Sequence, residues 1–271
     1  RISSHDIIWE IMEESILLTS KIAWVVNNNL SWEESFYPTL VEKIKKSHSH
    51  FSTNFEMKIT PLTQELYLNT FLPLYTAQIG SKTTYRLDLE NQKDFILQRI
   101  KDTTIQTFLA GVYEKTSHNF AGGILFSVWE DKITIIHRVF NRVMSKQYKK
   151  QTTLDFWAES QFREYTNTLK IKRLTHGSGE NPCIDSIGLT EFKLKVGALP
   201  EISEKSGDPI QPSFEKIRQN KSIGMYFDKV VGTKYTRSTL VYTPESDMTQ
   251  VDFLSSILIW AGLETKFQIL S

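Results

Sequence analysis

Three apolar runs, Thr107 to Tyr113, Ala121 to Trp129 and Lys132 to Phe140, constrain this chain more than any other stretch. Their residues recur with a period of two or as short buried runs, which is strand behaviour. The connections, Glu114 to Asn119 and Glu130-Asp131, are short enough to make antiparallel hairpins. The runs therefore predict a three-stranded meander. Its middle strand carries Gly122-Gly123 inside an apolar run, and glycine weakens a strand unless a bulge or a close approach requires it. Close approach of a ligand or of a helix is expected there.

Elements of other periods surround the meander. Phe55 to Ile59 alternates as a strand, and Pro61 with Thr63 opens an amphipathic helix through Leu66, Phe71, Leu74 and Tyr75 to Gly80. A further helix is expected from Asn91 to about Lys101, with Phe95, Ile96 and Ile100 on one face. After the meander come a basic loop, Arg142 to Lys150, and a helix from about Thr153 to Leu169. Ile171 to Leu174 reads as a short strand. Thr175 to Pro182, with its glycines and proline, reads as a loop, and Gly188 to Val196 as a helix closed by Gly197.

The first 54 residues are expected to precede or complete this domain. His5 to Val26 is compatible with helix or with helix and strand. Trp32 to Lys46 reads as a helix opened by a capping box of Ser31 and Glu34, and Ser47 to Asn54 as a polar linker. His48 and His50, two residues apart, form a weak candidate ligand pair, and no metal is expected. From residue 206 onward, Ser222 to Asp228 and Thr239 to Tyr242 read as strands and Val251 to Trp260 as a helix, forming extra sheet strands or a small subdomain.

Composition narrows the partners. With 271 residues, 40% of them hydrophobic, the chain can bury one substantial core. Lys plus Arg total 32 against 31 Asp plus Glu, so the overall field selects neither nucleic acid nor membrane, and a basic site must be local. Cys183 is the single cysteine, which excludes an internal disulfide and fits a reducing, cytoplasmic setting. No membrane span is expected, since no apolar run reaches about 18 residues. The chain begins at Arg1 rather than Met and is read as a fragment.

Gly177-Ser178-Gly179 does not complete a dinucleotide fingerprint. Instead, Asp155-Phe156-Trp157, Lys172 to Gly177 and Ile187-Gly188-Leu189-Thr190-Glu191-Phe192-Lys193-Leu194-Lys195-Val196-Gly197 resemble the Fem-like and polysaccharide-biosynthesis branch of the GNAT-fold acyltransferases. Ala121-Gly122-Gly123-Ile124-Leu125 is similar to that branch's central strand. The resemblance covers Phe55 to Pro200, roughly half the chain. It implies an α+β fold with a GNAT-like mixed central sheet flanked by helices over residues 55–205, and transfer of an acetyl or aminoacyl group to an amine of a cell-surface glycan or peptidoglycan-type precursor.

The resemblance also suggests that Lys193 stabilises negative charge near the reaction centre. His176 is a candidate base or substrate ligand, while Asp185 and Glu180 are candidates for holding an amine or a sugar hydroxyl. Gly122, Gly123 and one of His137 and Arg138 are expected to border the acceptor, a small molecule or sugar nucleotide. Arg142, Lys146, Lys149 and Lys150 precede a helix start at Thr152/Thr153 and would converge on a donor phosphate. This stretch lacks the glycines with which CoA-binding relatives close on a pyrophosphate. Acetyl-CoA, another acyl-CoA and aminoacyl-tRNA therefore stand as alternative donors, and a non-catalytic binding module as the alternative to an enzyme.

Overall fold

Backbone pairing confirms the meander. A computed structural model describes residues 21–79, 89–181, 187–203 and 214–270, and in it β3 (Gln106–Glu114), β4 (Phe120–Trp129) and β5 (Lys132–Phe140) form antiparallel ladders. The chain divides into two compact units, Asn27–Thr175 and His176–Ser271 with the N-terminal stretch ending at Val26.

In the first unit, β2 (Phe55–Pro61) pairs with β3 on one edge of the meander, and the start of β6 (Arg173–Glu180) pairs with β5 on the other. The β5–β6 ladder is parallel and holds Lys132↔Arg173, Ile133↔Leu174 and Thr134↔Thr175. The sheet is thus mixed, and helices cover both of its faces. On one face lies α3, a continuous helix of Gln64–Leu66, a π-helical turn Tyr67–Phe71, and Leu72–Ile79, together with α4 (Leu89–Lys101). Tyr67, Phe71, Tyr75 and Ile96 pack there on Leu109, Leu125 and Val139. On the other face, Phe162 of α6 (Leu154–Thr168) meets Phe126 edge-on at 4.9 Å. Ile96 is buried as expected, but Phe95 is exposed, with the Arg99 guanidinium 4.9 Å above its ring.

The N-terminal reading needs two corrections. The capping box of Ser31 and Glu34 is present but opens only α1 (Trp32–Ser35). A second helix, α2 (Pro38–Asn54), starts with Pro38 in its first turn and runs through the expected linker. It continues because Leu40, Ile44, Ser47 and Phe51, spaced four, three and four, form a buried stripe on α6, where Phe51 stacks on Trp157 at 5.9 Å. On this helix His48 and His50 point apart: His48 contacts the Ser52 hydroxyl and His50 the Tyr148 carbonyl. Buried Asn28, which follows β1 (Lys21–Asn27) in the chain, donates to the Thr166 and Ile171 carbonyls at the end of α6.

The stretch from Thr175 is also corrected: β6 continues through Gly177 to Glu180 instead of breaking into a loop. In the second unit α7 (Ile187–Lys195) ends at Gly197, which has φ +77° and supplies the left-handed turn expected of a helix stop. Leu199–Ile202 (β7) pairs with β1. After α8 (Glu215–Asn220), β8 (Ile223–Val231) and β9 (Lys234–Tyr242) form a hairpin. The helix α9 (Met248–Trp260) then leads to β10 (Glu264–Ile269), parallel to β9. The Asn181 carboxamide pairs in both directions with the Phe227 backbone on β8, at 2.9 and 3.0 Å.

Burial of Tyr67, reinforced by the charge of Glu90, pushes its phenol from 10.0 up to about 12. The unfolded chain then releases this proton first, so stability falls as pH rises from 10 towards 12. Tyr67→Phe is expected to remove this component of the slope, read from urea unfolding midpoints at pH 9, 10 and 11.

Candidate functional site

Alternation along β5 and one irregularity decide where its polar side chains go. The β4–β5 register shifts between Leu125 and Phe126: Leu125 faces His137, Phe126 faces Ile135, and Ile136 is the extra residue of a bulge. His137 consequently lies on the α3 side and Arg138 on the α6 side. The His137 ring sits 4.8 Å from that of Tyr75, with Nδ1 3.2 Å from the Tyr75 hydroxyl. That hydroxyl donates to Gln92 Oε1 of α4 at 2.8 Å. Nearby, the Gln78 amide donates to the Phe140 carbonyl.

Arg138 takes a structural partner. Its Nη2 lies 2.7 Å from Oε2 of Glu159, a fully buried carboxylate on α6. One turn further along, Arg163 is also fully buried, and burial pulls its guanidinium down to about 10 despite the attraction of Glu159. Its Nη2 reaches the Leu30 carbonyl at 3.2 Å. Two guanidiniums thus share the field of one carboxylate.

Neighbouring strand backbone crowds both Gly122 and Gly123. A Cβ on Gly122 would lie 2.5 Å from the Val139 carbonyl and 2.6 Å from Phe140 Cα, and its φ of +147° is one that only glycine adopts freely. A Cβ on Gly123 would lie 2.8 Å from the Ala110 carbonyl. The pair lets β3, β4 and β5 close on one another.

The basic stretch is partly helical, not a loop. Arg142–Gln147 forms α5, capped by Asn141, whose side-chain oxygen accepts from the Val143 and Met144 amides at 3.0 and 3.2 Å. An Asn ahead of Arg-Val-Met was the sequence signal for this start. The cap occupies the amides that a phosphate would need. Tyr148 anchors the segment by donating to Glu114 and packing on Phe55 at 4.9 Å, leaving Arg142, Lys146, Lys149 and Lys150 exposed. The next helix, α6, carries Asp155 in its first turn, a carboxylate that opposes an anion there.

In the second unit, Lys193 is 5% exposed, a buried ammonium rather than a solvated one. Its Nζ donates to the Ser178 carbonyl at 3.3 Å and lies 5.4 Å above the Trp24 ring. His176 is buried within β6. Lys195 pairs with Glu191 and covers Phe253. Asp185 and the side chain of Glu180 lie outside the described residues.

The structure brings in residues that patterning did not single out as site residues: Tyr75, read only as part of a helix face, and Gln92, Glu159 and Trp24. Glu159 left a mark in the sequence as an acid between Trp157 and Phe162 on an apolar helix face. Among the described residues no three His, Cys, Asp or Glu side chains form a metal-sized cluster, and no helix is long and apolar enough to cross a membrane.

No protein-family profile matches the chain, and no curated protein does. Among solved structures it is similar to FemX, at 11% identity and a TM-score of 0.47 over 67% of this chain and 60% of that one. It is also similar to a tandem GNAT protein from the clavulanic acid biosynthesis pathway, solved without AcCoA, at 9% identity and a TM-score of 0.38 over 67% and 50%. A conserved protein of unknown function from Staphylococcus epidermidis matches at 12% identity and a TM-score of 0.36 over 74% and 64%. The likeness spans less than two thirds of the length of each of these proteins.

Proposed function

We propose that the chain is an N-acyltransferase that moves an acetyl, other acyl or aminoacyl group onto an amine of a cell-surface glycan or peptidoglycan-type precursor. The observation that carries this reading is the β5 bulge. It takes Ile136 out of the β4 ladder beside the imidazole of His137. A bulge frees backbone hydrogen-bonding capacity and re-aims the neighbouring side chain. Acyl transfer needs a donor for the developing oxyanion and polar groups that hold the amine, and the bulge beside His137 supports placing the acceptor here. Lys193 is proposed to stabilise negative charge, and its burial supports the role. His176 is proposed as a substrate ligand or base, and Asp185 as a ligand of the amine. Arg142, Lys146, Lys149 and Lys150 are proposed to contact donor phosphates.

One observation favours the second reading, a binding module without catalysis. Asn141 already occupies the amides at the start of α5. The same cap favours aminoacyl-tRNA over CoA as donor, because exposed cations reach a polyanion without needing those amides.

The test incubates the protein with radiolabelled acetyl-CoA or charged tRNA and a panel of amines that includes a UDP-amino sugar and a muropeptide precursor. An amide product identified by mass is the expected result, with Lys193→Ala lowering turnover about 10²-fold. Absence of product from both donors across the panel leaves only the module.

A further inference from the structure

We infer that Trp129, Arg99 and Asp102 form a binding subsite for an uncharged saccharide at the end of the meander, with Trp129 stacking on a sugar ring and Arg99 and Asp102 binding its hydroxyls. The subsite goes beyond the transfer reading and does not rest on it. Among the described residues of the first unit, Phe95 and Trp129 are the two exposed aromatic side chains, at 45% and 52%. One guanidinium lies between them. Arg99 sits 4.9 Å above the Phe95 ring and donates from Nη1 to the Ser127 hydroxyl at 2.9 Å. Ser127 and Trp129 are two apart on β4 with no register shift between them, so their side chains share the α4 face, about 7 Å apart along the strand. A single sugar ring with its hydroxyls spans that gap.

Arg99 is held in place before any ligand arrives, by Phe95 on one side and Ser127 on the other. Among the described residues the contact with Ser127 is its one hydrogen bond, and its remaining N–H groups stay open to water. Asp102 follows three positions later, close enough to attract the guanidinium. Its carboxylate is ordered by the backbone and hydroxyl of Thr104, at 2.9 and 2.6 Å, and is exposed. Donors and acceptors side by side match sugar hydroxyls, each of which both donates and accepts.

The surrounding charge selects the ligand class. Asp102, Glu130 and Asp131 offset Arg99, Lys132 and Arg173 at this end of the sheet, so a phosphate or a polyanion meets no net positive field. The guanidinium also interrupts the apolar surface between the two rings, which leaves no continuous patch for a protein partner. An exposed indole offers a flat apolar face to the C–H face of a pyranose and a polar edge to water. Phe95 is a positioning residue that acts through Arg99.

The experiment titrates the ¹⁵N-labelled protein with chitotetraose, cellotetraose and maltotetraose while following the tryptophan indole resonances, with that of Trp129 assigned by its loss in Trp129→Ala. A saturable shift of the Trp129 resonance with at least one tetrasaccharide is expected. By calorimetry, Trp129→Ala and Arg99→Gln are each expected to weaken binding at least about fivefold, and Trp129→Tyr, which keeps a ring, to weaken it less than Trp129→Ala. Raising NaCl from about 0.05 to about 0.5 M is expected to leave the affinity within about twofold, as an uncharged ligand requires. No shift of Trp129 with any of the three sugars, or equal affinity in the parent, Trp129→Ala and Arg99→Gln with unaltered circular dichroism, overturns the inference. A steep loss of affinity with salt overturns the assignment to an uncharged ligand. Binding is read directly, so none of these outcomes depends on whether the chain transfers an acyl group.

Discussion

Replacing Glu159 with leucine is expected to lower the free energy of unfolding by about 3–5 kcal/mol, because removing one partner of a buried ion pair leaves charge stranded without compensation. Glu159 is fully buried, and Arg138 and Arg163 both depend on its field. Leucine restores apolar volume, so the loss does not come from a cavity. Arg163 is fully buried and cannot turn to solvent, and its hydrogen bonds to Asn27 and Leu30 carbonyls at 3.4 and 3.2 Å are long. The exposed pair Lys45–Glu33 provides the contrast: Lys45→Ala is expected to cost less than about 1 kcal/mol, since water already solvates both charges. Urea unfolding at pH 7 measures both. A Glu159→Leu cost as small as that of Lys45→Ala would show that the carboxylate does not organise this core.

Gly122→Ala is expected to cost about 2–4 kcal/mol, combining a glycine-only backbone conformation with overpacking. The added methyl would meet the Val139 carbonyl and Phe140 Cα, which are backbone atoms fixed by the β4–β5 ladder and cannot rotate away. Gly188→Ala is the matching control. At Gly188, an exposed position of α7, a Cβ meets nothing within 4 Å and the φ is ordinary, so the substitution should be neutral or stabilise by up to about 1 kcal/mol. The expected order of melting temperatures is Gly188→Ala at or above the parent, with Gly122→Ala well below it. Equal melting temperatures for the two variants would mean that β4 and β5 do not approach as closely as described. Because Gly122 pairs with Phe140 at the end of β5, the same substitution also tests whether that strand end is held rigidly.

Local chemistry made several elements legible in advance. The Ser31–Glu34 box, the Thr63 cap, the meander and the Gly197 stop each depend on residues a few positions apart, where sequence distance and spatial distance coincide. The misjudged stretches were decided by distant partners. Ser47 to Asn54 looked like a linker because its polar face dominates the composition, yet Phe51 is buried against Trp157. Thr175 to Glu180 looked like a loop because glycines usually break strands, yet β6 continues through Gly177.

The candidate site divides along the same line. The sequence by itself determined the helix stop at Gly197, the lysine at position 193, the histidine at 137 and the need for glycine at 122 and 123, because each follows from residue type and short-range period. Only the tertiary structure decided that His137 faces Tyr75 while Arg138 faces Glu159. A single extra residue at the β5 bulge sets that assignment, and the partners lie 62 and 21 positions away. Strand alternation fixes that neighbours point to opposite faces, but which face each one takes depends on register, and register is a property of paired strands.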